Sequence, residues 1–114
     1  MRFQSIVFIL FVLFASLATN QALDNSIRVD INDPHVIDVG NFAVTEHNMQ
    51  NNKTKLIFEK VINGVVDIVK DETKYRLTLS ANNGSFSNNY GAIVLEKPLE
   101  HLRNLTAFAL ISRA

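Results

Sequence analysis

The sequence contains no cysteine and no tryptophan, only four glycines and two prolines, and no excess of either charge: 11 Lys and Arg balance 11 Asp and Glu. Without cysteine there is no thiol catalysis, disulfide, zinc finger or iron–sulfur site. Charge balance argues against a general nucleic-acid binder, which needs a basic face. The glycines, at 40, 64, 84 and 91, are scattered and form no phosphate-cradling loop. No Gly-x-Ser-x-Gly nucleophile elbow occurs. His35, His47 and His101 lack metal-ligand spacing, so no metal or cofactor is expected. Asp67, Asp71 and Glu72 lie near one predicted turn and read as a charged turn, not as acid–base machinery. Nothing here supports an enzyme, and 114 residues allow one small domain.

The high hydrophobic fraction, 47%, is local in origin. Met1-Arg2 is a short positive start, and Ile6 to Phe14 is an unbroken apolar run. Ser16-Leu17-Ala18 then offers small residues for cleavage, so residues 1–18 read as a secretory signal peptide. Its apolar run is too short to span a bilayer, which takes roughly 20 residues. Cleavage is assigned after Ala18, with Ala22 as the alternative. The mature chain, 19–114, is then a near-neutral domain without a membrane segment, destined for the extracellular space or a vacuole and expected to be monomeric. It carries thirteen asparagines, and Asn52, Asn83 and Asn104 stand in glycosylation sequons.

The mature chain opens with Thr19 to Ser26, which has little to pack, and a short alternating stretch, Ile27-Val29-Ile31. Asp33-Pro34 then reads as a helix start: Asp33 caps free N–H groups, and Pro34 suits the first helical position. Val36, Val39, Ala43, Ile37 and Val44, with Phe42 beside them, give a broad apolar face. Gly40 lies on that face. Glycine costs a helix roughly 1 kcal/mol relative to alanine, so a close approach of something bulky is expected there. The helix should end in the polar run Asn48 to Lys53.

From Leu56 the period becomes two. Leu56-Phe58, Tyr75-Leu77-Leu79, Gly91-Ile93-Leu95 and Leu105-Ala107-Ala109-Ile111 mark four strands. The short loops between them suit antiparallel neighbours. Asn63-Gly64 is a hairpin signal that would split the 56–69 segment, and a bulge in one long strand is the competing reading. The fold class is α+β: one helix covering an antiparallel sheet of four to five strands.

Val39-Gly40-Asn41-Phe42-Ala43-Val44-Thr45-Glu46-His47-Asn48 resembles the helix signature of plant cystatins. Tyr75-Arg76-Leu77-Thr78-Leu79 and Tyr90 through Pro98 look like strands of the same family, and the likeness covers about residues 26–111. The resemblance implies a cystatin-like fold, a sheet wrapped around one helix, and favours one bulged strand over 56–69. It also implies reversible, non-covalent inhibition of papain-like cysteine proteases by a three-part wedge. The wedge comprises an N-terminal Gly pair, a Gln-x-Val-x-Gly hairpin and a Pro-Trp hairpin.

This sequence departs at each part. The Gly pair falls near Asp24-Asn25. The first hairpin falls on Ile68-Val69-Lys70-Asp71-Glu72, with Ile68 for Gln, Lys70 for Val and Glu72 for Gly. Pro98 keeps its place, but Leu99 stands for Trp. Inhibition is therefore expected to be weak or altered in specificity, and a non-inhibitory interaction module is the alternative. Secreted from a eukaryotic host, the chain is expected to start at Thr19 on N-terminal sequencing. A start at Leu23 would mark the alternative cleavage, and a start at Met1 would contradict the leader.

Overall fold

The computed structural model describes residues 26–51 and 55–113. The signal peptide, Asp24, Asn25 and the Asn52 sequon lie outside them. The element order is β1 (Ile27–Arg28), α1 (Pro34–Gln50), β2 (Ile57–Val69), β3 (Glu72–Asn82), β4 (Ser87–Lys97) and β5 (Leu102–Arg113). The strands form one antiparallel sheet in the order β1-β2-β3-β4-β5, and α1 packs across one face.

The helix starts where its capping chemistry dictates. Asp33 holds an extended backbone, and its carboxylate accepts the His35 N–H at 2.9 Å, with Pro34 in the first turn. Val36, Val39, Gly40, Ala43 and Val44 are buried, as the spacing predicts. Ile37 departs from that set: it lies at the margin of the helix face and is exposed. At the other end Asn48 spans the join to β2. Its side-chain N–H donates to the Leu56 carbonyl at 2.8 Å, and its oxygen accepts the Leu56 N–H at 2.9 Å. One side chain thus supplies the donor and acceptor that a neighbouring strand would have offered.

The core side of β3 and β4 follows simple alternation: Tyr75, Leu77, Leu79 and Ala81, then Tyr90, Ala92 and Val94. β2 and β5 do not. β2 runs unbroken through Asn63-Gly64 for 13 residues, so this dipeptide is no turn. Register shifts between Phe58 and Lys60, and between Val61 and Asn63, insert an extra residue each time. Each insertion flips the following side chains to the other face. Strict alternation from Phe58 would put Val61 on the opposite face. The bulges instead bring Phe58, Val61, Gly64 and Val66 all to the helix side. A shift at Thr106 likewise moves Phe108, expected opposite Leu105, into contact with the same core.

Both predicted oddities of glycine have a packing cause. A Cβ on Gly40 would stand 3.0 Å from the Phe58 ring and 3.0 Å from Val61, so the helix meets the sheet here almost backbone to side chain. At Gly64 a Cβ would lie 2.6 Å from a Leu77 methyl and 2.8 Å from the Arg76 carbonyl. Gly64 also accepts the Val29 N–H at 3.0 Å, extending the β1 pairing by one bond. β1 is shorter than the predicted Ile27–Ile31 alternation because the chain turns at residues 31–32, where Asp33 N–H bonds the Asp30 carbonyl.

The Gly64→Ala variant is expected to lose about 2 kcal/mol of unfolding free energy in urea titration, since backbone as well as side chain must move. Gly40→Ala, which meets only side chains, should lose less. Equal stability of Gly64→Ala and the wild type would contradict the close approach.

Candidate functional site

The meander brings two turns to one end of the sheet. β2 and β3 turn at Lys70-Asp71, between the paired residues Val69 and Glu72. β4 and β5 turn at Pro98–Glu100, a single 3-10 turn, and His101. β1 is antiparallel to β2, with Ile27 opposite Val66, so Ser26, the first described residue, lies on the side of β1 nearer this end. Asp24 and Asn25 themselves lie outside the described residues. The five first-hairpin positions and Pro98-Leu99 are thus brought together on neighbouring tips.

The tips expose apolar side chains that have no role in the core. Leu99 is 80% exposed, Val69 63% and Ile68 58%. Around them lie charges: Lys70 and Asp71 are exposed, and Glu72 faces Lys97 across β3 and β4 at 3.9 Å. This pair couples the two hairpins, though half-exposed charges at that distance contribute little. The backbone at both tips is left-handed, with φ of 57° at Lys70 and 53° at His101. Non-glycine residues pay roughly 1–2 kcal/mol for that conformation.

Below the second hairpin lies a charged clamp that sequence spacing did not reveal. Glu96 and Arg103 are register partners at the stem. Arg103 donates to a single oxygen of Glu96, Oε2, through Nε at 2.7 Å and Nη2 at 2.6 Å, both charge-assisted bonds. Its Nη1 reaches Asp38 on α1 at 3.0 Å, and its guanidinium lies 5.3 Å from the Phe42 ring centre. His35 Nε2 meets the other Glu96 oxygen at 2.9 Å. Burial disfavours the Arg103 charge, but the bonds to Asp38 and Glu96 outweigh it and raise its pKa. Burial, aided by the Glu96 charge, also pushes the Tyr75 phenol up. The clamp ties helix start, β4 and β5 into one unit, so the Pro98-Leu99 tip stands on a fixed base.

The three histidines do not meet: His47 stacks on Phe108 with centroids 4.1 Å apart, and burial lowers its pKa. Among the described residues no group of three His, Asp or Glu side chains is placed to hold a metal. Asp67, grouped above with a charged turn, instead pairs with Arg76 at 2.6 Å. Of the sequons, Asn83 lies on the exposed β3–β4 turn at the far end, and Asn104 is exposed on β5.

Removing Arg103 strands a buried carboxylate, whereas removing Asp38 leaves a largely exposed gap. Arg103→Ala is therefore expected to lose about 2–3 kcal/mol in urea titration, and Asp38→Asn less than about 0.5 kcal/mol. Equal losses would show that Glu96 does not depend on the clamp.

Residues 28–111 match the family described as aspartic acid proteinase inhibitor. Cysteine proteinase inhibitor 5 of Arabidopsis thaliana is 41% identical over 105 residues, covering 91% of this chain and 84% of the relative. Cysteine proteinase inhibitor 1 of Actinidia chinensis is 43% identical over 79 residues, covering 69% of this chain and 66% of the relative. The solution structure of the squash aspartic acid proteinase inhibitor superposes with a TM-score of 0.53 at 30% identity, covering 73% of this chain and 87% of that one. The helix signature, the single sheet that α1 covers and these relatives agree, and the chain belongs to the plant cystatin family.

Proposed function

We propose that the mature chain is a secreted or vacuolar, reversible inhibitor of papain-like cysteine proteases that acts without covalent chemistry. The observation that carries this reading is the convergence of the β2–β3 and β4–β5 tips on one end of the sheet, with Ile68, Val69 and Leu99 exposed there. Exposed apolar groups on a rigid base fit a preformed cleft and exclude water from it. The names of the curated relatives support the same target class. The chain acts as a monomer and needs no cofactor. Asn83 and Asn104 point to solvent, which leaves both sequons open to glycosylation.

The tips are altered wedges, and their chemistry argues for weak binding. Glu72 replaces a glycine and sits in the ladder with a charged side chain, while Lys70 and Asp71 must be desolvated or paired by the protease. Leu99 offers less contact than tryptophan by roughly 50–80 Å², about 1–2 kcal/mol.

A second reading, inhibition of aspartic proteinases, is favoured by a separate observation. The matching family and the superposing squash protein both carry that activity in their names. A non-inhibitory interaction module is the outcome if neither enzyme class responds.

Titration of residues 19–114 against papain and pepsin separates the three. Papain is expected to be inhibited with a constant near or above about 1 μM, and pepsin to be unaffected. Glu72→Gly and Leu99→Trp are each expected to tighten papain inhibition by about 5- to 30-fold. Pepsin inhibited with papain untouched would establish the second reading, and no inhibition of either would overturn both.

A further inference from the structure

We propose that Asn83-Gly84, on the β3–β4 turn, is a site of spontaneous deamidation, and that the fold holds the second Asn-Gly pair of the chain, Asn63-Gly64, inert. The two pairs share the same local chemistry. In each, an asparagine carboxamide stands next to a glycine backbone nitrogen that no Cβ shields. That nitrogen can attack the side-chain carbonyl carbon once the backbone rotates to bring the two together. The surroundings of each pair decide whether it rotates.

At Asn63-Gly64 the backbone is held from both sides. Asn63 pairs with Thr78 and Gly64 with Leu77 in the β2–β3 ladder. Gly64 is buried, and its carbonyl accepts the Val29 N–H at 3.0 Å from the β1 side. A Cβ there would stand 2.6 Å from a Leu77 methyl and 2.8 Å from the Arg76 carbonyl, so the chain has no space to swing. Ring closure at Asn63 therefore requires the sheet to open first, and opening of paired core strands is costly.

Asn83 and Gly84 are exposed and lie beyond the last ladder pair, Asn82 with Ser87. Gly84 has a φ of 102°, and a Cβ on it would meet nothing within 4 Å. Asn83 Oδ1 accepts the Ser85 N–H and the Phe86 N–H, both at 2.9 Å. These donors polarise the side-chain carbonyl toward attack and stabilise negative charge that develops on its oxygen. The Gly84 N–H, whose proton must leave, donates to Asn82 Oδ1 at 2.7 Å.

The reaction balances with water as the sole co-reactant. A bond forms between Gly84 N and Asn83 Cγ. The Asn83 Cγ–Nδ2 bond breaks, and ammonia leaves with the Gly84 proton. Water then opens the cyclic imide at either carbonyl, giving aspartate or isoaspartate. Aspartate keeps an oxygen for the Ser85 and Phe86 donors and adds a negative charge. Isoaspartate lengthens the backbone and disrupts the 3.0 Å bond from the Asn83 N–H to the Phe86 carbonyl. Nδ2 is also the atom that a glycan on the Asn83-Gly84-Ser85 sequon would occupy, so glycosylation and deamidation are alternative fates of one nitrogen.

The test uses unglycosylated 19–114 made in bacteria and incubated in neutral buffer, native and in urea. Peptide mass mapping, with chromatographic separation of isoaspartate, follows both asparagines over time. In the native chain Asn83 is expected to convert at least about tenfold faster than Asn63. In urea the two rates should converge, and Asn83→Ser should abolish conversion on the turn. Equal native rates at the two sites would overturn the protection assigned to the ladder. A native Asn83 that stays intact while the urea-unfolded chain converts there would overturn the site, and so would absence of conversion at Asn83 in both conditions.

Discussion

The contact on which the rest of the structure depends is the seam where α1 meets β2. Gly40 lets the helix backbone approach the Phe58 ring and Val61 to a distance no side chain would tolerate without movement. Two bulges in β2 bring Phe58, Val61, Gly64 and Val66 to that seam together. With no disulfide to assist, the burial of Val36, Val39, Ala43 and Val44 against Leu77, Leu79 and Val94 must hold the domain. The glycine penalty in the helix is thus accepted for closer packing of the whole face.

From this seam the placement of the hairpin tips follows by connection. Bulges bend the strands around the helix. The Arg103 clamp then fastens the second hairpin to the helix start, and the Asp67–Arg76 pair fastens the first hairpin's stem. The tips are therefore rigidly based yet expose Ile68, Val69 and Leu99. Rigid placement of exposed apolar groups suits a protein that binds by shape, because it limits the freedom lost on association.

Much of this was legible in the chain. Asp33-Pro34 marked the helix start, the helical spacing identified Val36, Val39 and Ala43, and Gly40 signalled a close neighbour. Alternation found β3 and β4 because those strands keep a simple period. Strict alternation puts Val61 and Phe108 on the wrong face, because a bulge adds one residue and carries no mark in local composition. Asn63-Gly64 misled for the same reason: Gly64 serves packing against Leu77, a neighbour that only the folded sheet supplies. The hairpin residues Ile68 through Glu72 and Pro98-Leu99 were placed at the tips by family likeness, and the fold brings them side by side. The Asp67–Arg76 and Glu96–Arg103 pairs went unseen, since their partners come from distant positions.

The end of the sheet that carries the β2–β3 and β4–β5 tips is the proposed protease-binding surface. Amide hydrogen exchange of residues 19–114, free and with excess active-site-blocked papain whose cleft remains open, tests it most directly. Added protection is expected at Ile68 to Glu72 and at Leu99 to His101, with none at the opposite Asn83 to Phe86 turn. Protection confined to that opposite turn or to the solvent face of α1, or no protection anywhere, would contradict it.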